Sequence, residues 1–197
     1  TLCIATALAF GIGGASGFNL NLGAGNKDKA PYFIGNALSM MAIIGIVLAV
    51  IASIAMKPLL LFFGSTDKVL PYAMEYTRFI ALGFPFAIIS AGGSHLVRAD
   101  GSPNFSMACN LVGAVTNVVL DYVFVIVLKG GMTGAAVATI IGQILASIMV
   151  IYYMFHYKTV KLEKKHYIPK GKIIGRTVHL GMAQCLNQLA IMIVQIV

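Results

Sequence analysis

The stretch FSMACNLVGAVTNVVLDYVFVIVL, residues 105–128, carries a single charged side chain, Asp121, in a run that is otherwise mostly apolar. As a helix rising about 1.5 Å per residue it is long enough to cross a ~30 Å hydrocarbon layer. Its apolar residues do not alternate with polar ones, which argues against a barrel strand. An open sheet would leave its backbone unsatisfied in lipid. The run therefore reads as a transmembrane helix, and the pattern recurs along the chain. Similar runs fall at residues 1–22, 32–56, 76–97 and 132–155, and another starts near Ile173 and continues to the last residue. The expected fold class is all-α, a polytopic transmembrane helical bundle with about five full helices and the start of a sixth.

Composition points the same way. Hydrophobic residues make up 59% of the chain and charged residues 10%, against roughly a quarter charged in soluble domains. A single soluble core cannot bury that much apolar side chain, so a lipid bilayer is the expected partner. The formal charge of +8 does not indicate nucleic acid, because the basic residues sit in the joints between apolar runs. Cys3, Cys109 and Cys185 lie inside apolar stretches without metal-ligand spacing and read as small hydrophobes. His95, His156, His166 and His179 are scattered. No serine, histidine and acid combination offers a nucleophile, so neither an enzyme nor a cofactor is expected.

Turn chemistry marks the joints. Gly23-Ala24-Gly25-Asn26 ends the first run, Asp100-Gly101-Ser102-Pro103 parts the third from the fourth, and Lys129-Gly130-Gly131 forms a hairpin before the fifth. Gly83 and Pro85 inside the third run predict a kink. Gly13 and Gly17 form a GxxxG helix-contact face rather than a phosphate loop. Ser16, Asn19 and Asn21 read as packing or capping residues. Lys27, Lys29, Arg98 and the basic residues of 156–176 fall on one side of the membrane. Lys57, Lys68, Arg78 and Lys129 fall on the other, with Asp67 and Glu75. The positive-inside rule then puts the first, third and fifth joints in the cytoplasm of a plasma (inner) membrane protein. The expected organisation is a transmembrane lobe over 1–155, a basic cytoplasmic linker over 156–176 touching anionic lipid, and the start of a second lobe over 177–197.

Of the six acidic residues, only Asp121 lies well inside an apolar run. A carboxylate there costs several kcal/mol unless it is paired, hydrated or protonated. Asn117 precedes it by four residues and shares its helix face. Asp121 lies about seven residues before the hairpin and Thr139 about seven after the fifth run starts. Antiparallel neighbours then hold them at one level, about 10 Å below the surface. Carboxylate, amide oxygen and hydroxyl make a hard-oxygen set suited to Na⁺ or to a proton relay. Gln143, one turn on, extends it.

Several of these stretches together resemble the multidrug and toxic compound extrusion (MATE) transporters. They are Arg98-Ala99-Asp100-Gly101-Ser102-Pro103 after a helix with Gly83-Phe84-Pro85, then Asn117-Val118-Val119-Leu120-Asp121, then Gly134-Ala135-Ala136-Val137-Ala138-Thr139. Leu22-Gly23-Ala24-Gly25-Asn26 and Leu180-Gly181-Met182-Ala183 complete the set. The resemblance covers essentially the whole chain. It implies twelve helices in two repeated lobes, of which this chain supplies the second to sixth and the start of the seventh. The remainder of the full-length transporter would then be a partner. It also implies export of cationic, amphipathic drugs by alternating access against Na⁺ or H⁺, with a cation site matching Asn117, Asp121 and Thr139. A further acidic residue is implied on a helix ahead of Thr1. The competing readings are a lipid-linked oligosaccharide flippase of the same superfamily and a non-transporting membrane scaffold.

Overall fold

The computed structural model describes residues 2–56 and 70–196. The expectations for Lys57, Asp67 and Lys68 lie outside the described residues. The elements are α1 (Leu2–Gly23), α2 (Ala30–Ile54), α3 (Leu70–Ala99), α4 (Pro103–Asp121) with a π-helical continuation (Tyr122–Val127), α5 (Gly131–Phe155), a 3₁₀ turn (Lys164–Tyr167) and α6 (Gly171–Ile196). No strand occurs among the described residues. Five of these helices, α1 to α5, are long and apolar enough to cross a membrane.

Most boundaries fall where turn chemistry puts them. Gly25 and Gly101 take φ of +77° and +73°, and Lys129 and Gly131 at the hairpin take +52° and +54°. Pro31 and Pro103 stand in the first turns of α2 and α4, where the missing N–H costs no helical bond. The largest difference from the sequence reading is at helix α3, which starts at Leu70, so the backbone of Glu75 is helical rather than part of a joint; Pro85 lies inside this helix. Pro85 packs on α2, where its Cα lies where a side chain on Gly45 would go.

Helices α1 and α3 form the centre. Helix α1 packs against α2, α3 and α6, while α3 packs also against α2, α4 and α5. The Gly13 and Gly17 face does serve as a contact surface, and it serves two partners. A side chain on Gly13 would run into the Thr177 carbonyl of α6, and one on Gly17 into the Phe33 ring of α2. Phe18, Ile34, Met41, Ile88, Leu96 and Met154 are among the fully buried side chains between the helices. In contrast Met107, Leu111, Val115, Val118, Tyr122 and Ile126 lie exposed along α4. They recur every three or four residues, a stripe suited to lipid.

The basic stretch after α5 is docked as well as charged. Asn36 of α2 donates from Nδ2 to the His166 carbonyl at 2.9 Å and accepts from the Lys170 N–H at 2.6 Å. Ser39 donates to the Tyr167 carbonyl at 2.7 Å. The Lys170 ammonium stands 3.8 Å from the centre of the Tyr32 ring. Buried Asp100 ties the other end, taking hydrogen bonds from the Tyr153 hydroxyl at 2.8 Å and from the backbone N–H groups of Lys158 and Thr159 at 2.6 and 2.8 Å. Tyr157 donates to the Leu96 carbonyl at 2.9 Å. Burial, with Asp100 and Tyr153 adding to it, raises the Tyr157 pKa and keeps that hydroxyl a donor.

Candidate cation-binding site

The site forms where α4 and α5 come closest. A side chain on Gly142 of α5 would lie 2.7 Å from the Gly113 carbonyl of α4 and 3.3 Å from Asn117 Cβ. Small residues at this crossing let the two backbones approach in lipid. That approach brings Asn117 against Thr139. Asn117 Nδ2 donates to the Thr139 hydroxyl at 3.2 Å, and that hydroxyl donates to its own helix at the Ala135 carbonyl at 2.9 Å. Thr139 Oγ1 thus keeps one lone pair and Asn117 keeps its carbonyl oxygen.

A cavity of about 260 Å³ opens beside this pair, lined by Asn117, Thr139, Gln143, Ser90 and Asn110 among others. Gln143 points toward α3, where the missing side chain of Gly83 leaves room: a Cβ there would lie 2.9 Å from its Oε1. Gly83 therefore makes space for Gln143, a role its spacing to Pro85 did not suggest.

Asp121 lies one helical turn from Asn117 and is not part of the cavity wall. Its Oδ1 is buried with no hydrogen-bond partner. A buried acceptor left unmade costs on the order of 1–3 kcal/mol, and more when charged. Asp100 shows the contrast, with three donors on its carboxylate. Asp100 is a structural tie, while Asp121 Oδ1 has no hydrogen-bond partner among the described residues.

The π turn follows Asp121 directly. The Leu128 N–H donates to the Val123 carbonyl at 2.9 Å and the Gly130 N–H to the Phe124 carbonyl at 2.8 Å, spacings wider than an α-helix allows. Turns of this kind recur at functional sites. They pack more residues into each turn and so rise less per residue. Across the seam, Asn117 is the residue that hydrogen-bonds Thr139.

The structure thus joins Asn117, Thr139 and Gln143 at one cavity and sets Asp121 one turn along α4. Sequence reading missed Ser90 and Asn110. Asn110 was legible, since 110, 117 and 121 follow one helix face. Ser90 was not, because only the fold brings α3 to that wall. No cluster of three or more His, Cys, Asp or Glu occurs among the described residues. The groups this region offers a cation are carboxylate, amide and hydroxyl oxygens.

Comparison with known proteins follows this geometry. The MatE family model matches residues 1–123. The "Multidrug export protein MepA" of Staphylococcus haemolyticus is 25% identical over 174 residues, 88% of this chain and 38% of that protein. The "FAD transporter" of Shewanella oneidensis is 26% identical over 149 residues, 73% of this chain and 33% of that protein. Among solved structures, the inward-facing conformation of a multidrug resistance MATE family transporter superposes with a TM-score of 0.88 at 26% identity. It covers 95% of this chain and 43% of that one. An outward-facing conformation of such a transporter gives 0.89 at 26%, covering 98% and 43%. The chain spans well under half the length of each of these relatives. A family match over more than half of the chain, on a bundle of membrane-crossing helices, shows that this multi-pass membrane protein belongs to the MatE family.

Proposed function

We propose that this chain is part of a secondary active transporter that exports cationic, amphipathic drugs by alternating access in exchange for Na⁺ or H⁺. The observation that carries the reading is the open Oδ1 of Asp121, one turn from the Asn117–Thr139 pair and its cavity. A cation arriving at Asp121 gives that oxygen the partner it lacks. A proton turns it into a donor, and Na⁺ takes it as a ligand together with the Asn117 carbonyl and the Thr139 hydroxyl. Either event removes an unpaired charge from the α4–α5 seam and changes which helix arrangement is favoured, which is what coupling requires.

Export of drugs is supported by the name of the multidrug export protein MepA among the relatives, and alternating access by inward-facing and outward-facing structures in the family. A plasma-membrane location, with the stretch 156–176 on the cytoplasmic face, follows from its excess of Lys and Arg. Residues 1–155 then form the first lobe, and residues 177–197, starting within α6, begin the second.

The test is dye exchange in proteoliposomes of the full-length transporter under imposed Na⁺ and pH gradients. Wild type exchanges under at least one gradient. Asp121→Asn reconstitutes equally well and exchanges under neither. Wild-type exchange by Asp121→Asn would overturn the role of that residue, and silence of the wild type under both gradients would overturn antiport.

A further inference from the structure

A second cavity, of about 220 Å³, opens between α1 and α3. Its polar walls are Ser16 and Asn19 of α1 and His95 and Arg98 of α3. Each pair is three residues apart and so shares one helix face. The four groups are short of partners. Arg98 gives its Nε to the Ser106 hydroxyl at 3.1 Å, which leaves four guanidinium N–H groups for other acceptors. The side chains of Ser16, Asn19 and His95 make no hydrogen bond among the described residues.

Among the described residues Arg98 also lacks a counter-charge. The ion pair formed among the described residues is Lys165 with Glu163. Asp100, two residues along, is turned to Tyr153, Lys158 and Thr159. A guanidinium fork, an imidazole, a hydroxyl and an amide thus converge from two helices on one space. A planar carboxylate is satisfied by the fork alone, whereas donors from two sides suit the several oxygens of a phosphate.

We propose that this cavity binds a phosphate group. The site is independent of the antiport reading, since none of its residues belongs to the Asp121 site. Helices α1 and α3 end at Gly23 and Ala99. Asn19 is therefore about 6 Å and Arg98 about 1.5 Å from a helix end. That depth is reached equally by a phospholipid headgroup and by soluble phosphate.

Two measurements on the full-length protein separate these sources. The first is native mass spectrometry after release from phosphatidylglycerol nanodiscs, which counts retained lipid. The second is calorimetric titration with inorganic phosphate in detergent. Arg98→Gln is expected to weaken binding roughly tenfold or more. Asn19→Asp keeps the size of an exposed side chain that has no partner to lose, and sets a carboxylate beside Arg98 that displaces the phosphate. Retained lipid that both substitutions remove identifies a headgroup site. Saturable phosphate binding that both remove identifies a soluble one. If wild type and Asn19→Asp retain the same lipid and take up the same phosphate, the proposal is wrong.

Discussion

The side-chain amide of Asn117 donates to the hydroxyl of Thr139 across the α4–α5 seam at 3.2 Å. Thr139→Val keeps the volume and removes the oxygen. If that oxygen is a ligand, the loss is close to one net hydrogen bond, about 1 kcal/mol. The half-saturating cation concentration for dye exchange should then rise about fivefold, with expression unchanged. An unaltered cation dependence would leave Thr139 as glue between helices.

Gly142→Ala tests whether close approach builds the site. The new Cβ would lie 2.7 Å from the Gly113 carbonyl, a backbone atom with little freedom to move. Overpacking of this kind costs about 1–3 kcal/mol. The melting temperature in detergent should fall, and cation-dependent exchange should weaken with it. Gly113→Ala meets the Ala146 methyl at 3.1 Å and should be milder in both measurements.

Asp100→Ala should loosen the chain after α5 without touching the Asn117–Thr139 pair. It leaves the Tyr153 hydroxyl and two backbone N–H groups without their acceptor. The cost is on the order of 3 kcal/mol where water cannot replace the carboxylate. Trypsin should cut faster at Lys158 and Lys161, and the protein should melt earlier. Equal cleavage rates in mutant and wild type would contradict the role of Asp100 as a tie.

Docking of the 3₁₀ turn on α2 should weaken in acid. His166 Nδ1 accepts the Glu163 N–H at 2.9 Å, so the docked ring is unprotonated at that nitrogen. Burial lowers the His166 pKa, Lys165 and Lys170 push the same way, and Glu163 opposes them. A group whose pKa is depressed on docking takes up its proton more readily in the open state. Docking is therefore at full strength above a pH of about 6.5 and weakens as the pH falls toward the docked value. The hydrogen-exchange protection of residues 163–167, relative to the intrinsic rate at each pH, should fall over that range in wild type. In His166→Asn, which has no titrating ring, it should not.

Much of the fold was legible because lipid imposes simple rules. Twenty-residue apolar runs become helices, and glycine pairs such as Gly130-Gly131 end them. The bounds of α5, Gly131–Phe155, differ by one residue at the start from the run read in the sequence. The start of α3 was missed because Pro71 and Glu75 read as part of a joint, yet the helix begins at Leu70. Length and hydropathy do not mark where a helix leaves the membrane. The docking of His166 on Asn36 was equally hidden. A basic stretch looks the same whether solvated or packed, and those two residues are 130 positions apart.

The sequence by itself determined that this chain is a membrane helical bundle, and it singled out Asp121, because a carboxylate in a greasy helix is costly wherever the helix packs. It also put Asn117 on the same face, since four residues make about one turn. Only the tertiary structure decided who stands opposite whom. Thr139 meets Asn117, and the Asp121 Oδ1 is left without a hydrogen-bond partner. Gly83 then sets how near α3 comes to α5, and Gly142 how near α5 comes to α4, which gives the cavity its walls. Composition carries the cost of a buried charge, but register and close approach depend on contacts far apart in the chain.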